Sequence, residues 1–484
     1  MKRPSACFIA RTLVFCVPTV AGLHSPPAAA QCPPLEGPKL LADDGSVEDA
    51  FGLSVAMRRD YAICGAYYVA DGTGAAYVFK RTAGQWAQQA RLTIAGGMPS
   101  DLAARAVAID DDVAVLNSEF DDEGAFDAGA AYVFERSGTV WAQVDKLIAL
   151  DAADDANLGH AVAVFGDTIV VGAPGDSPCP SDPFCGAGSA YVFVRSQADW
   201  VQQAKLIAND AAADADFGWS VAVFGDMAVI GAPGDDGGRG AAYVFTRSGT
   251  TWTQEIKLTD VEGSLNDALG WSVAVSGGTV AAGSPQANSG AAASGVTVVF
   301  AKRDGDWSTQ ARLMPDDPLV DGRFGWSVAT DGGLTLVGTP GDDAACAGDP
   351  FCDSGAAYLF ARSLTTWSPR GKLRPADSAG GDQFGVAVAL SDGAGLIGSP
   401  LDDDLGSVSG SAYIFRAGAP RGDMNCDCAA NVLDINSFVL ALLDPADYAA
   451  LHPFCRIEAG DINGDGRADV LDINDYVALL LSGG

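Results

Sequence analysis

Two loops near the end of the chain carry the residue types and spacing of a hard-cation site. In the later loop Asp461, Asn463, Asp465, Asp469 and Asp472 place side-chain oxygens at positions 1, 3, 5, 9 and 12. Gly466 stands at the sharp turn, and the Arg467 carbonyl falls at position 7. The earlier loop repeats these offsets with Asp423, Asn425, Asp427, Asn431 and Asp434, and with the Ala429 carbonyl at position 7. Carboxylate and carbonyl oxygens suit Ca2+, so two calcium sites are expected here. Each loop leads into an apolar-periodic stretch that predicts a helix. One covers 435–443 with Phe438 and Leu442 inward, the other 473–481 with Tyr476 and Leu480 inward.

A second set of acids lies upstream. Asp121, Asp176, Asp235, Asp342 and Asp402 each follow the head of a Gly-Ala-Pro-like triplet by four residues. Three readings stand open for them: turn capping of their own backbone, a ring of carboxylates holding Ca2+ or a cationic ligand, and plain solubility charge. Cysteines form a third set. Cys179 with Cys185 and Cys346 with Cys352 sit in matching stretches, CPSDPFC and CAGDPFC, and read as local disulfide staples. Cys426 and Cys455 are a further candidate pair, while Cys32, Cys64 and Cys428 have no assigned partner.

These residues must be positioned by something, and a repeat supplies it. A segment like Phe-Gly-Trp-Ser-Val-Ala-Val starts at Phe51, Ala103, Leu158, Phe217, Leu269, Phe324 and Phe384. Fourteen residues on stands the triplet head: Gly65, Asn117, Gly172, Gly231, Gly283, Gly338 and Gly398. A Tyr-x-Phe pair follows, as at Tyr243 and Phe245, with Val298 and Phe300 in the fifth copy. Then comes a Trp, from Trp86 to Trp367, and six residues later a Leu. Each copy holds four short runs of Val, Ile, Tyr, Phe and Trp between Gly/Asp turns, which predicts four strands per copy. The fold class expected is mainly all-β: a seven-bladed β-propeller of four-stranded blades plus a small α-helical paired calcium-loop domain. The seventh copy stops after Phe415 without a fourth strand. Lys39-Leu40 matches the Lys-Leu of the other fourth strands and lies eleven residues before Phe51, so an N-terminal strand is expected to close the ring. The recurring Trp and Tyr read as packing between blades.

The domain layout follows: a signal peptide over 1–30, the propeller over 31–416, a linker over 417–422 and the calcium-loop module over 423–484. Lys2, Arg3 and Arg11, the apolar run to Leu23 and Ala28-Ala29-Ala30 compose a secretory address, and no later run is long enough for a membrane span. The protein is expected outside the cell or at its surface. A net charge of −33, from 62 acidic against 29 basic residues, repels phosphate backbones and argues against nucleic acid as a partner.

The Phe-Gly…Ser-Val-Ala…Gly-Ala-Pro copies over roughly residues 39–416 resemble the FG-GAP repeats of integrin alpha-subunit propellers, found also in secreted bacterial proteins. Integrin members often carry an Asp-x-Asp-x-Asp-Gly loop between the first two strands. Here that link is a turn such as Phe224-Gly225-Asp226, so blade calcium sites are not carried over. The paired loops of 423–484 resemble a dockerin module, which implies a cohesin-like partner. Cys428 stands in place of the first loop's turn glycine. Val432-Leu433 and Val470-Leu471 occupy positions where many dockerins place polar recognition residues. Arg421-Gly422-Asp423 spells a tripeptide that integrins recognise, but Asp423 is committed to the first calcium loop.

All length variation between copies lies between the triplet head and the Tyr, where the counts run 12, 15, 19, 12, 15, 20 and 15. These second-to-third-strand loops share one face with the crossings between blades, and variable loops on a rigid scaffold mark a functional face. The expected function is a secreted, non-catalytic binding or adhesion propeller for an extracellular glycan or surface protein, attached through the calcium-ordered module. The alternative is an extracellular polysaccharide-active enzyme on that same loop face. His160 stands where other copies have Trp219, Trp271 or Trp326, and reads as packing. A central pocket of convergent Tyr, Arg, His and carboxylates would mark the enzyme, and a broad acidic ring the binder.

Overall fold

The computed structural model describes residues 34–416 except 83, 100, 179–184, 198, 344–345 and 347–351, and in the C-terminal part 422–424, 430–451, 460, 462 and 468–482. The expected signal peptide, Cys32 and most of the expected 417–422 linker lie outside these residues. Chain contacts divide the protein into two units, one spanning 32–418 and the other containing 419–484.

The first unit holds seven four-stranded antiparallel sheets. The fourth blade is representative, with strands Ser220–Phe224, Met227–Ala232, Ala241–Ser248 and Thr251–Leu258. The second strand is buried along nearly its whole length, because both faces of each sheet pack on neighbouring blades; this explains its unbroken Met-Ala-Val-Ile-Gly-Ala run. The fourth strand alternates exposed and half-buried residues, as an outer edge should. A register shift between the third and fourth strands recurs after Val78, Val133, Val192, Val244, Val299 and Leu359, adding local twist where the blade splays outward.

The expected closure is present. Leu35–Leu40 pairs antiparallel with Ser411–Arg416, Lys39 opposite Tyr413 and Leu40 opposite Ala412. The first strand of each blade touches the first strand of the next all the way round, including Val388–Ser391 of the last against Ser54–Arg58 of the first. First strands therefore line the axis. The apolar cores lie between blades: Leu396, Ala412 and Ile414 of the seventh pack with Ala62, Cys64, Tyr77 and Phe79 of the first.

The repeat motif has a steric cause. A Cβ on Gly231 would sit 2.0 Å from the Gly270 carbonyl oxygen of the next blade, so two glycine backbones must pass in contact. The neighbouring Phe217 bridges to Gly188 of the preceding blade and packs edge-on against Tyr243 and Phe245 of its own, with centroids 5.3 and 5.9 Å apart. The fourth-strand tryptophans are interblade staples, as packing residues should be. Trp252 Nε1 donates to Gln203 Oε1 at 2.8 Å and Trp367 Nε1 to Gln310 Oε1 at 2.7 Å, each reaching the preceding blade.

The second unit contains helices Ile435–Leu443, Pro445–Leu451 and Ile473–Ser482, the first and last each preceded by a 3-10 turn. Met424, Phe438, Ala441, Tyr448 and Tyr476 form its core, with the Phe438 and Tyr476 rings stacked at 4.2 Å.

Candidate functional site

The five loop acids of the propeller are interior groups. Asp121, Asp176, Asp235, Asp342 and Asp402 are only 2–5 % exposed. In the fourth blade Asp235 Oδ2 accepts from the Tyr243 hydroxyl at 3.1 Å and pairs with Lys257 Nζ at 2.5 Å. Lys257 also reaches Asp210, at 2.7 Å, in the crossing that enters the blade. The set recurs as Asp176, Tyr191, Lys205 and Asp151, and as Asp402, Tyr413, Lys39 and Asp377. Asp342 pairs with Lys372 at 2.6 Å, and Asp121 with Lys146 at 2.8 Å and the Tyr132 hydroxyl at 2.7 Å. Turn capping is present too: Asp121 Oδ1 accepts from the Glu123 amide and Asp402 Oδ1 from the Asp404 amide. The loops therefore do not present these carboxylates as an open ring. Burial alone would raise Asp210, but the Lys257 ammonium and the Tyr243 hydroxyl hold it below the usual carboxylate range.

The two blades lacking the loop acid show what it does. Val69 and Ala287 occupy that position in the first and fifth blades, and both blades carry arginine where the others carry lysine. Arg91 reaches Asp44 at 2.8 Å; Arg312 reaches Asp260 at 3.0 Å and Glu262 at 2.8 Å. The lysine ammonium bridges the buried acid and the crossing acid, whereas the guanidinium directs its several donors to the crossing when the buried acid is absent.

At the axis on the same face a different cluster forms. The residue after each Phe-Gly position stands at the start of a first strand, so these seven residues encircle the channel mouth. His160, Trp219, Trp271 and Trp326 follow one another there with ring centroids 4.4, 4.9 and 4.8 Å apart, each tilted 45–48° to the next. Arg105 precedes them. Glu119, 3 % exposed, takes both its neighbours: Oε1 pairs with Arg105 Nη1, and Oε2 lies 3.1 Å from His160 Nδ1. Burial would raise the Glu119 carboxyl, but His160 and Arg105 together hold it below the usual glutamate range. Tyr67, at the Glu119 position of the first blade, is pushed up to about 12 by burial and by the Tyr68 hydroxyl. Beside Trp326 a groove of about 480 Å3 opens, with Asn266, Gln286, Asn288, Asp321 and Arg323 in its wall.

Reading the copies one by one treated His160 as packing and passed over Arg105 and Glu119. The signal available was departure from the repeat: Glu119 stands where five copies have proline, and Arg105 and His160 where three have tryptophan.

In the second unit Asp423, Asp434 and Asp472 are fully buried. Asp434 accepts from the Met424 and Asn431 amides at 2.7 and 2.9 Å; Asp472 accepts from the Ile462 and Asp469 amides, both at 2.8 Å. Each partner in one half has its counterpart 38 residues on, so the two loops close alike. Asn431 and Asp469 cap the turns that follow, accepting from Leu433 and Leu471. Asn425, Asp427, Ala429, Asp461, Asn463, Asp465 and Arg467 lie outside the described residues. Among the described residues no three His, Cys, Asp or Glu side chains converge as a metal group. Buried carboxylates held in duplicate loops nonetheless have the donor chemistry that fits a hard cation. Val432, Leu433, Val470 and Leu471 are all 66–68 % exposed.

Cys346 and Cys352 form a disulfide with Cα atoms 6.0 Å apart. Cys185 is disulfide-bonded as well, while Cys179, Cys426, Cys428 and Cys455 lie outside the described residues. Cys64 is a free thiol buried between the first and last blades, and burial pushes its pKa up, so it serves as a small apolar packing residue. No helix among the described residues is long and apolar enough to cross a membrane.

Seven four-stranded sheets closed into a ring, with an axial cluster on the loop face, define a β-propeller of the kind that presents binding loops. The FG-GAP repeat pattern matches residues 36–79, 86–134, 141–193, 200–245, 252–300, 307–360 and 367–415, and the chain belongs to the FG-GAP repeat family. Among curated proteins none matches the chain.

Proposed function

We propose that this protein is an exported, non-catalytic binding propeller that seats an extracellular glycan at the channel mouth. The observation carrying this reading is the arc of Trp219, Trp271 and Trp326, half-buried rings packed in series whose exposed parts can meet sugar rings, running up to the groove with its amide and carboxylate wall. The C-terminal unit serves as the attachment module. Asp423, Asn431, Asp434, Asp469 and Asp472, with the loop residues between them, would hold two Ca2+ ions, whose charge would balance the buried carboxylates and order the loops. The exposed pairs Val432-Leu433 and Val470-Leu471 give that unit an apolar face for a cohesin-like or other surface protein. The test is a glycan array probed with the full chain and with Trp271→Ala. Binding that the substitution abolishes supports the reading, and no binding to any glycan overturns it.

The second reading, a polysaccharide-active enzyme, draws on the convergence of Arg105, Glu119 and His160 with Tyr67 near the axis, the pattern expected of an enzyme. It stands second because the buried Glu119 carboxylate has both oxygens engaged by Arg105 and His160. Incubation with extracellular polysaccharides and an assay for new chain ends decides it: fragments lost in His160→Gln would favour the enzyme.

A further inference from the structure

The channel mouth has two unlike halves. Blades four to six supply Trp219, Trp271 and Trp326; blades two and three supply Arg105, Glu119 and His160. Three departures from the repeat meet there, at adjoining blades. The backbone departs as well. Six copies place glycine after the Phe position at φ between 88° and 102°, whereas the second copy holds Ala104 at φ 66°, next to Arg105. An L-residue there is strained.

Glu119 is spent inward. Its carboxylate is buried and both oxygens are engaged, so of the three groups the Arg105 guanidinium, with its side chain 39 % exposed, and the His160 imidazole, 22 % exposed, remain toward the mouth, with the Asp216 carboxyl near enough to His160 to interact with it. With Nδ1–H donating to Glu119, a neutral His160 turns an accepting Nε2 outward and donates there only as the imidazolium, so Arg105 is the constant donor and calls for an acceptor group on the ligand. The chain as a whole carries −33, so a densely charged polyanion is repelled at long range; a single acceptor delivered on an otherwise neutral chain is not.

We infer that the axial mouth recognises a glycan residue bearing a carboxylate, its ring against the Trp219–Trp271–Trp326 arc and its carboxylate on Arg105, with Glu119 as the positioning residue for Arg105 and His160. This rests on the glycan reading above and narrows it to sparsely acidic sugars.

The experiment prints uronate-containing oligosaccharides beside their carboxyl-reduced counterparts, and measures affinities of the full chain by calorimetry for the pairs that bind. The expected result is a preference of about tenfold or more for the acidic member. Arg105→Gln brings the acidic member down to the level of the neutral one, while Trp271→Ala weakens both alike. Glu119→Gln narrows the preference but keeps the neutral affinity, a split that general loss of stability does not produce. Equal binding of the two members by the unsubstituted chain overturns the inference and leaves the glycan reading standing. Binding of neither overturns both.

Discussion

Lys39 Nζ lies 2.9 Å from Asp402 Oδ2, joining residues 363 positions apart at the seam where the ring closes. The same ammonium contacts Asp404 and reaches Asp377 at 3.1 Å, and it lies 4.9 Å from the centre of the Tyr413 ring. In other blades the corresponding lysine is covalently continuous with its blade through a short turn. Here it arrives from the other end of the chain, so the ion pairs complement backbone pairing as the latch.

Lys39→Met should therefore leave Asp402 buried without its cation. The expected cost is about 2 kcal/mol, toward the low side for a broken buried pair because Lys39 keeps some solvent. Thermal melts should show it, and limited proteolysis should begin near the first or seventh blade.

The exchange of lysine for arginine between blades is testable by transplant. Asp235→Ala strips Lys257 of its buried acid and should cost about 1–2 kcal/mol. Adding Lys257→Arg imitates the fifth blade and should recover part of that loss, because a guanidinium can bring two donors to the crossing, as Arg312 does at Asp260 and Glu262, where the Lys257 ammonium reaches Asp210 alone. Urea unfolding of the single and double variants measures the recovery; a double variant less stable than the single one would contradict the account.

Gly231→Ala should destabilise by about 3 kcal/mol or more, since the new Cβ meets a backbone oxygen that cannot turn away. Gly225→Ala is the control. Its φ is 59° but nothing lies within 4 Å, so it should cost only about 1 kcal/mol.

Glu119 titrates below its unfolded value, so its ionised form stabilises the fold. The sign follows from linkage: that contribution is complete above the unfolded carboxyl value of 4.5 and is lost as the pH falls through the lower folded value. The stability margin of the unsubstituted protein over Glu119→Gln should be flat from neutral pH to about 5 and shrink below it. Paired melts across the range from pH 7 to 3 read this directly.

Calcium titration of the full chain by calorimetry should show two bound ions, with Asp434→Ala and Asp472→Ala each removing one. A chelator should lower the melting of the C-terminal unit and leave the propeller transition in place. Titrations without heat would remove the calcium assignment.

The repeat was legible in the sequence because steric demands are local and recur. Where two glycine backbones cross, as at Gly231 and Gly270, no other residue fits, and the constraint prints itself into the chain at fixed spacing. Strand number, blade number and the role of Lys39-Leu40 in closure all follow from that periodicity. The loop acids were legible as a set but not in their role. Asp235 and Lys257 are separated along the chain by a whole strand pair, and a residue's exposure is not a property of its spacing. Only the folded blade sets the Asp235 carboxylate under Tyr243 and Lys257 rather than in solvent. The axial cluster was hidden for a related reason. Arg105, Glu119 and His160 belong to two copies and three strand ends, and packing of the third blade on the second brings them within contact. Short-range sterics wrote the propeller into the sequence; the meeting of Arg105, Glu119 and His160 had to wait for one blade to pack on the next.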